Sequence, residues 1–297
     1  MVDYGYELVK VCGEKDLHIW EYILEEESKE SFLSKDEVFE KMRDSLKVMQ
    51  AAAEHGMETE VKSVSGIIGG DAFKLSRYSD EGSTLTGRVM TKAMARALSC
   101  SEVNASMGRI VAAPTAGSCG IIPATLITAG EALGKSEDDL IKALFTSAGV
   151  GEIIAKSATL AGAEGGCQAE CGSAAAMASA AVVEMMGGSP DQALNAAAIV
   201  FKNILGLVCD PVAGLVEVPC AKRNMAGTVS ALTTADMVMA GVMSKIPFDE
   251  TVSAMHNVGN SLPNELRETA LGGLAATETG LKLKKMVLSS AEASDGK

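Results

Sequence analysis

Aromatic side chains are scarce in this sequence of 297 residues. Phe, Tyr and Trp make up 4% of the chain, with a single Trp, although 47% of the residues are hydrophobic. Strand-rich proteins depend on aromatic and β-branched side chains, whereas Ala, Leu and Met favour packed helices. We therefore expect an all-α fold, a compact multi-helix domain with ligand loops rich in glycine and proline.

Basic charge and long apolar runs are also lacking. The net charge is −13 and the pI is about 4.8, which opposes nucleic-acid binding because phosphate contacts need a basic surface. No stretch reaches the roughly 18 uncharged apolar residues of a membrane span, and the acidic N-terminus lacks a signal-peptide core. We expect a cytoplasmic protein with no nucleic-acid partner and no membrane association.

The chain contains no repeat of 20–50 residues and no obvious internal linker. An acidic helical segment is expected over residues 1–33, and the tail over 286–297 has a composition typical of disorder. Residues 34–285 are predicted to form one catalytic domain.

Three capping boxes predict where helices begin, because a small polar residue and an acidic or amide residue three positions later satisfy each other's backbone N–H groups. The pairs are Ser34 with Glu37, Ser136 with Asp139, and Ser189 with Gln192. Gly56 is expected to end the first of these helices.

The seven cysteines include no CxxC pair, which opposes a structural zinc site and ferredoxin-type spacing. Cys167, Cys209 and Cys220 each lie close to glycine or proline residues that break regular structure. Loop thiolates can hold an iron–sulfur cluster, although spacing alone favours buried free cysteines. Three thiolates on a cluster of four irons would leave one iron open as a Lewis acid for substrate oxygen.

A first candidate ligand loop precedes a helical segment. It contains Ser65, Gly66, Gly69, Gly70 and Asp71. Backbone N–H groups at a glycine-rich helix entrance can bind an anion such as a carboxylate. An ordinary turn, with Asp71 as the helix cap, explains the same spacing.

A second candidate loop lies between Pro114 and Pro123, which exclude a continuous helix. It consists of Thr115, Ala116, Gly117 and Ser118. Its hydroxyl groups and free amides suit a small polar ligand. A structural kink between two helices is the alternative interpretation.

Several long strings in the sequence resemble the alpha subunit of the iron–sulfur-dependent L-serine dehydratases. They are GIIGGDA, EVNASMGRI, APTAGS, GGCQAE, GLVCDPVAGLVEVPCAKRN and LRETALGGLAATETG. The similarity spans about 34–285 and implies an all-helical catalytic domain. It further implies a [4Fe–4S] cluster held by Cys167, Cys209 and Cys220, with the free iron binding L-serine.

The resemblance implies that serine loses its α-proton and β-hydroxyl to give aminoacrylate, which tautomerises to an imine and hydrolyses to pyruvate and ammonia. Residues 65–71 and 115–118 would line the serine site and bind its carboxylate. Cys119 and Cys171 lie outside the ligand set and are interpreted as packing thiols.

This chain lacks the second domain and the C-terminal cysteine of single-chain relatives. The resemblance therefore implies a hetero-oligomer with a beta subunit, which would also supply the catalytic base. Two other hypotheses stay open: a cysteine desulfidase that uses a similar cluster, and a non-catalytic helical scaffold with buried thiols. A pyridoxal enzyme is disfavoured because no lysine has a recognisable cofactor-binding context.

Overall fold

Residues 1–295, the part of the chain that this computed structural model describes, form thirteen α-helices and no β-strand. The helices are α1 (Gly5–Lys15), α2 (Ile19–Ser31), α3 (Lys35–Glu58), α4 (Asp71–Asp80), α5 (Gly87–Ala105), α6 (Ile121–Leu133), α7 (Glu137–Ser157), α8 (Gly162–Gly165), α9 (Cys167–Met185), α10 (Pro190–Ile204), α11 (Cys220–Met239), α12 (Phe248–Ser261) and α13 (Glu278–Asp295). The predicted all-α fold is confirmed.

Helix α9 lies at the centre of the molecule, with all of its residues buried. It packs against α6, α7, α10 and α11. Its alanine-rich sequence explains this position, because alanine favours helix and its small side chain lets neighbouring helices approach closely. The packing of α11 against α9 also brings the beginnings of these two helices, Cys220 and Cys167, to the same region.

The three predicted capping boxes are confirmed at the beginnings of α3, α7 and α10. The prediction that Gly56 ends α3 is wrong, since the helix continues to Glu58. Gly56 instead lets α5 pack against α3, because a Cβ at this position would lie 2.9 Å from Ser99 Oγ. The Gly56 N–H donates to the same oxygen at 2.7 Å.

The N-terminal segment belongs to the central core. Leu8 and Ile19 are fully buried in the same hydrophobic cluster as α9. The α9 residue Glu184 accepts a hydrogen bond of 2.5 Å from the Ile19 N–H at the beginning of α2. The boundary between 33 and 34 stays a prediction. At the other end, α13 extends to Asp295, into the segment 286–297 for which the sequence predicts disorder, and residues 296–297 lie outside the described range.

One helical window, Ala116–Leu133, has the length and composition of a membrane-crossing segment. It is 78% buried within the fold. Its apolar residues pack against α9 and α5, so a place in the protein core accounts for its composition.

Candidate metal centre

Two of the three predicted ligands occupy helix N-termini: Cys167 is the first residue of α9 and Cys220 the first of α11. Gly166, just before α9, has φ +76°, and a Cβ there would lie 2.8 Å from the Leu207 carbonyl oxygen, so only glycine fits. The positive end of a helix dipole favours a thiolate over a thiol. Both helix ends therefore suit an anionic metal cluster.

Cys209 lies in an irregular segment that pairs with a later part of the chain. Its N–H donates to the Leu266 carbonyl oxygen at 2.8 Å, and its own carbonyl accepts from the Glu268 N–H at 2.7 Å. This pairing fixes the backbone on both sides of Cys209 and brings the segment 266–268 to the centre.

Arg223, one turn into α11, connects the three cysteine segments. Its guanidinium donates at 2.8 Å to the Val208 carbonyl and at 2.8 Å to Asp210 Oδ1, the two neighbours of Cys209. Its charge also lowers the pKa of Cys167. Since Arg223 follows Cys220 by three residues, its guanidinium joins the Cys220 and Cys209 segments, and its charge acts on Cys167.

The thiols of the three predicted ligands are close enough to affect one another's pKa values. The hydrogen bond from Cys171 lowers the pKa of Cys167, against the effect of burial, and the charge of Arg223 lowers it further. Burial raises the pKa of Cys220 to about 12, and the charge of Cys167 contributes to this rise. Burial also raises the pKa of Cys209, again with a contribution from Cys167. Cys209 and Cys220 thus both sense the charge of Cys167.

The closest set of potential ligand atoms belongs to Cys167, Glu170 and Cys171, which lie within 4.8 Å of one another and could bind a metal ion. A single ion draws its sulfur ligands to about 2.3 Å, so they must nearly touch. Glu170 and Cys171 therefore lie close enough to Cys167 for a single-ion site.

The donor set fits an iron–sulfur cluster. All seven cysteines are free and buried. Cys167, Cys209 and Cys220 come from three separate segments, with one arginine and two helix N-termini to balance the negative charge of a cluster.

Glu170 lies on α9 one turn after Cys167 and extends this centre toward the second candidate loop. It accepts a short hydrogen bond from Thr115 Oγ1. Its other oxygen, Oε2, is 3.4 Å from the point at which Gly162 would carry a Cβ, and Cys209 Sγ is 3.1 Å from the same point. Burial raises the pKa of Glu170, and the charge of Glu268 adds to this effect.

The structure brings the loop 115–118 against both cysteine helices. Residues Ala116–Ser118 form a 3-10 turn, which agrees with a break between helices. Thr115 contacts Glu170 of α9, and the Gly117 carbonyl accepts a hydrogen bond of 2.6 Å from Asn224 of α11. Ala116 is exposed, while Gly117 and Ser118 are buried.

The loop 65–71 lies beside Cys220 but is already bonded to protein. Ser65 Oγ donates to Glu217 at 2.7 Å, and the Asp71 carboxylate pairs with Lys222. The Asp71 N–H, at the beginning of α4, donates to Glu102 Oε1 at 2.7 Å. The anion at this helix entrance is thus a carboxylate of the same chain.

The three glycines of this loop shape its backbone. Gly66 and Gly70 have φ values of +74° and +71°, and Gly70 is the N-cap of α4. Gly69 bridges to Lys62. The alternative in which Asp71 caps the helix is wrong, because Gly70 is the N-cap and Asp71 is the first helical residue.

Known proteins match nearly the whole chain. The family profile described as "Serine dehydratase alpha chain" matches residues 14–275. The chain belongs to this family. It is 49% identical over 285 residues to the L-serine dehydratase alpha chain of Peptoniphilus asaccharolyticus, covering 96% of this chain and 98% of that relative. It is 47% identical to the probable L-serine dehydratase alpha chain of Bacillus subtilis strain 168, with 96% and 95% covered.

Larger relatives show the same similarity over part of their length. This alpha chain is 37% identical over 280 residues to L-serine dehydratase TdcG of Escherichia coli K12, which covers 91% of this chain but 60% of that protein. About two fifths of that relative therefore has no counterpart in the alignment.

Five polar residues that hold the centre of this alpha chain are absent from the sequence-based predictions. They are Glu170, Asp210, Arg223, Asn224 and Glu268. Helical spacing could have identified three of them, because positions three and four residues after Cys167 or Cys220 share a helix face with the cysteine. Asp210 is the immediate neighbour of Cys209. Glu268 carries no local signal beyond its place in the string LRETALGG.

Proposed function

We propose that this protein is the alpha chain of an L-serine dehydratase, which converts L-serine to pyruvate and ammonia. The observation that carries the proposal is the meeting of three cysteine segments around Arg223 in a member of the serine dehydratase alpha chain family. The names of relatives that match over almost their full length support the same activity.

In this proposal Cys167, Cys209 and Cys220 hold a [4Fe–4S] cluster. When bound, the cluster supplies a Lewis acid at the iron that no cysteine binds, and this iron eases the departure of the serine hydroxide. In this proposal Cys171, whose hydrogen bond lowers the pKa of Cys167, is not a ligand.

The residues of this chain would bind and orient serine next to that iron. The loop 115–118 forms one wall, with Thr115 held by Glu170 so that its hydroxyl oxygen faces the centre. The loop 65–71 forms a second wall beside Cys220, held by Glu217 and Lys222. A substrate fixed between two such walls loses little further freedom on reaction.

We propose that residues 34–285 form the catalytic unit. In this proposal a beta subunit forms the rest of the active-site wall. The part of TdcG that has no counterpart here supports a separate partner chain. That subunit supplies the catalytic base. The thiolate ligands require a reducing compartment, so we propose a cytoplasmic location.

Anaerobic reconstitution tests the proposal. The alpha chain, loaded with iron and sulfide and mixed with the beta subunit, should bind about four irons and release pyruvate and ammonia from L-serine. A parallel assay of sulfide release from L-cysteine distinguishes the desulfidase. Iron-loaded protein that forms no pyruvate would contradict the proposal, and protein that binds no iron would favour the scaffold.

A further inference from the structure

Glu268 has an unusual backbone conformation for a residue with a side chain. Its φ is +65°, in the left-handed region that favours glycine. The hydrogen bond of 2.7 Å from its N–H to the Cys209 carbonyl holds it there. Strained residues of this kind concentrate at functional sites, where the strain fixes the direction of a side chain.

The Glu268 side chain points to the cysteine centre. Its Oε2 lies 3.4 Å from the point at which Gly162 would carry a Cβ, the same point that Cys209 Sγ and Glu170 Oε2 approach. Two carboxylates and a ligand sulfur thus surround a space that exists because residue 162 has no side chain.

The charge of Arg223 reaches this space, since it opposes the rise in the pKa of Glu170. The Arg223 guanidinium itself is already bound to Asp210 and to the Val208 carbonyl. Glu170 uses one oxygen for Thr115. Among residues 1–289, whose side chains the structure describes, the Glu268 carboxylate has no hydrogen-bond or ion-pair partner, and the residue is exposed. An unpaired carboxylate beside a second one complements a ligand cation.

L-Serine carries one such cation, its α-ammonium group. We infer that the Glu268 carboxylate binds the α-ammonium group of the substrate and so selects amino acids over acids that lack the amine. This inference rests on the proposed function. In this inference the amine of serine binds to a residue of the alpha chain and not to the beta subunit. The carboxylate and hydroxyl of serine bind to the rest of the site.

The first test uses Glu268→Gln in the reconstituted complex with the beta subunit. Loss of a hydrogen bond between charged groups should raise the KM for L-serine about tenfold to a hundredfold, with a smaller change in kcat. Iron content should equal that of the wild type. The matched control is Glu265→Gln, an exposed carboxylate three residues earlier, which should leave KM within about twofold.

A pair of inhibitors separates amine binding from a general loss of structure. L-Alanine keeps the ammonium and carboxylate of serine, whereas 3-hydroxypropionate keeps the carboxylate and hydroxyl. Glu268→Gln should raise the inhibition constant of L-alanine about tenfold or more. The inhibition constant of 3-hydroxypropionate should change by no more than about twofold. Equal weakening of both, or an unchanged affinity for L-alanine, would overturn the inference.

Calorimetric titration of L-alanine distinguishes a failure of the proposed function from a failure of the inference about Glu268. If the wild-type complex forms no pyruvate, the proposed function fails. The inference about Glu268 is then judged by the Kd of L-alanine for wild type, Glu268→Gln and Glu265→Gln. A Kd that rises only in Glu268→Gln supports it, and no measurable binding to the wild type overturns it.

Discussion

The sequence predicts ligand binding at both loops, 65–71 and 115–118, but their surroundings differ. The loop 65–71 has three glycines and one hydroxyl side chain, and the loop 115–118 has one glycine and two hydroxyl side chains. Thr115 contacts Glu170, whose second oxygen faces the same space as Cys209, so that loop is bonded to a residue of the candidate metal centre. Ser65 and Asp71 bond Glu217 and Lys222, on either side of Cys220.

A small-residue loop offers free donors to a ligand only where the fold leaves those donors unpaired. At the beginning of α4, the N–H groups of Asp71 and Ala72 are already bound by Glu102. The rule that helix N-termini attract anions holds here, but the anion comes from α5. The loop 115–118 should contribute more to catalysis than the loop 65–71, because its Thr115 contacts Glu170 of the candidate metal centre.

The largest expected effect concerns the centre on which this comparison depends. Cys209→Ser should remove nearly all bound iron and all dehydratase activity, because one corner of the cluster loses its thiolate. Cys12→Ser, at a buried thiol of α1, is the control and should keep about four irons. Iron analysis of protein prepared under argon measures both, and equal iron in the two variants would refute our ligand assignment.

The second effect compares the two loops directly. Thr115→Val keeps the shape of the side chain and removes the hydroxyl that bonds Glu170. Its kcat should fall about tenfold to a hundredfold with iron retained, since the carboxylate beside the centre loses its donor. Ser65→Ala should lower kcat by less than about threefold. Steady-state kinetics decide, and a larger loss for Ser65→Ala would reverse the comparison.

The third effect is on stability. Asn224 is buried, donates to the Gly117 carbonyl and accepts from the Gly120 N–H at 2.8 Å. Asn224→Ala should lower the free energy of unfolding by about 1–3 kcal/mol for each buried group that it leaves unpaired. Asn260→Ala, at an exposed position of α12, should change it by less than about 0.5 kcal/mol. Urea denaturation of the two variants checks this, and equal midpoints would show that Asn224 does not hold the loop.

The smallest effect belongs to the loop 65–71. Burial alone would raise the pKa of Asp71, but the hydrogen bond and charge of Lys222 lower it below its ordinary value. The pair therefore stabilises the fold above the unfolded pKa of about 3.9, and this stabilisation is lost as the pH falls through the folded pKa.

Asp71→Asn should accordingly reduce stability near pH 7 by less than about 1 kcal/mol, because the pair is partly exposed. The difference from wild type should shrink as the pH is lowered toward about 3. Urea denaturation of the metal-free proteins across this range measures it. A difference that grows with acidity would mean that Lys222 does not lower the pKa of Asp71.

Local patterns predicted much of the fold. The capping boxes at Ser34, Ser136 and Ser189 depend on residues three apart, and each begins a helix as expected. Gly56 failed as a helix end because its role depends on Ser99 in another helix. Propensity describes one segment at a time and carries no information about such a neighbour.

Only part of the candidate site could be predicted from the sequence, again because local patterns carry no information about distant neighbours. Cys167, Cys209 and Cys220 stand out in the sequence, but Arg223 gains its role from Val208, Asp210 and the Cys167 sulfur, which only folding brings together. Glu268 reaches the centre through pairing with Cys209, far away in the sequence. Long-range pairing of this kind leaves no periodic signal.

The most direct test of the central claim is Mössbauer spectroscopy of the reconstituted alpha–beta complex, recorded with and without L-serine. If three cysteines hold the cluster and one iron is open, the signal of one iron in about four should change when serine is added. An identical spectrum in both conditions would mean that no iron of the cluster is open to serine.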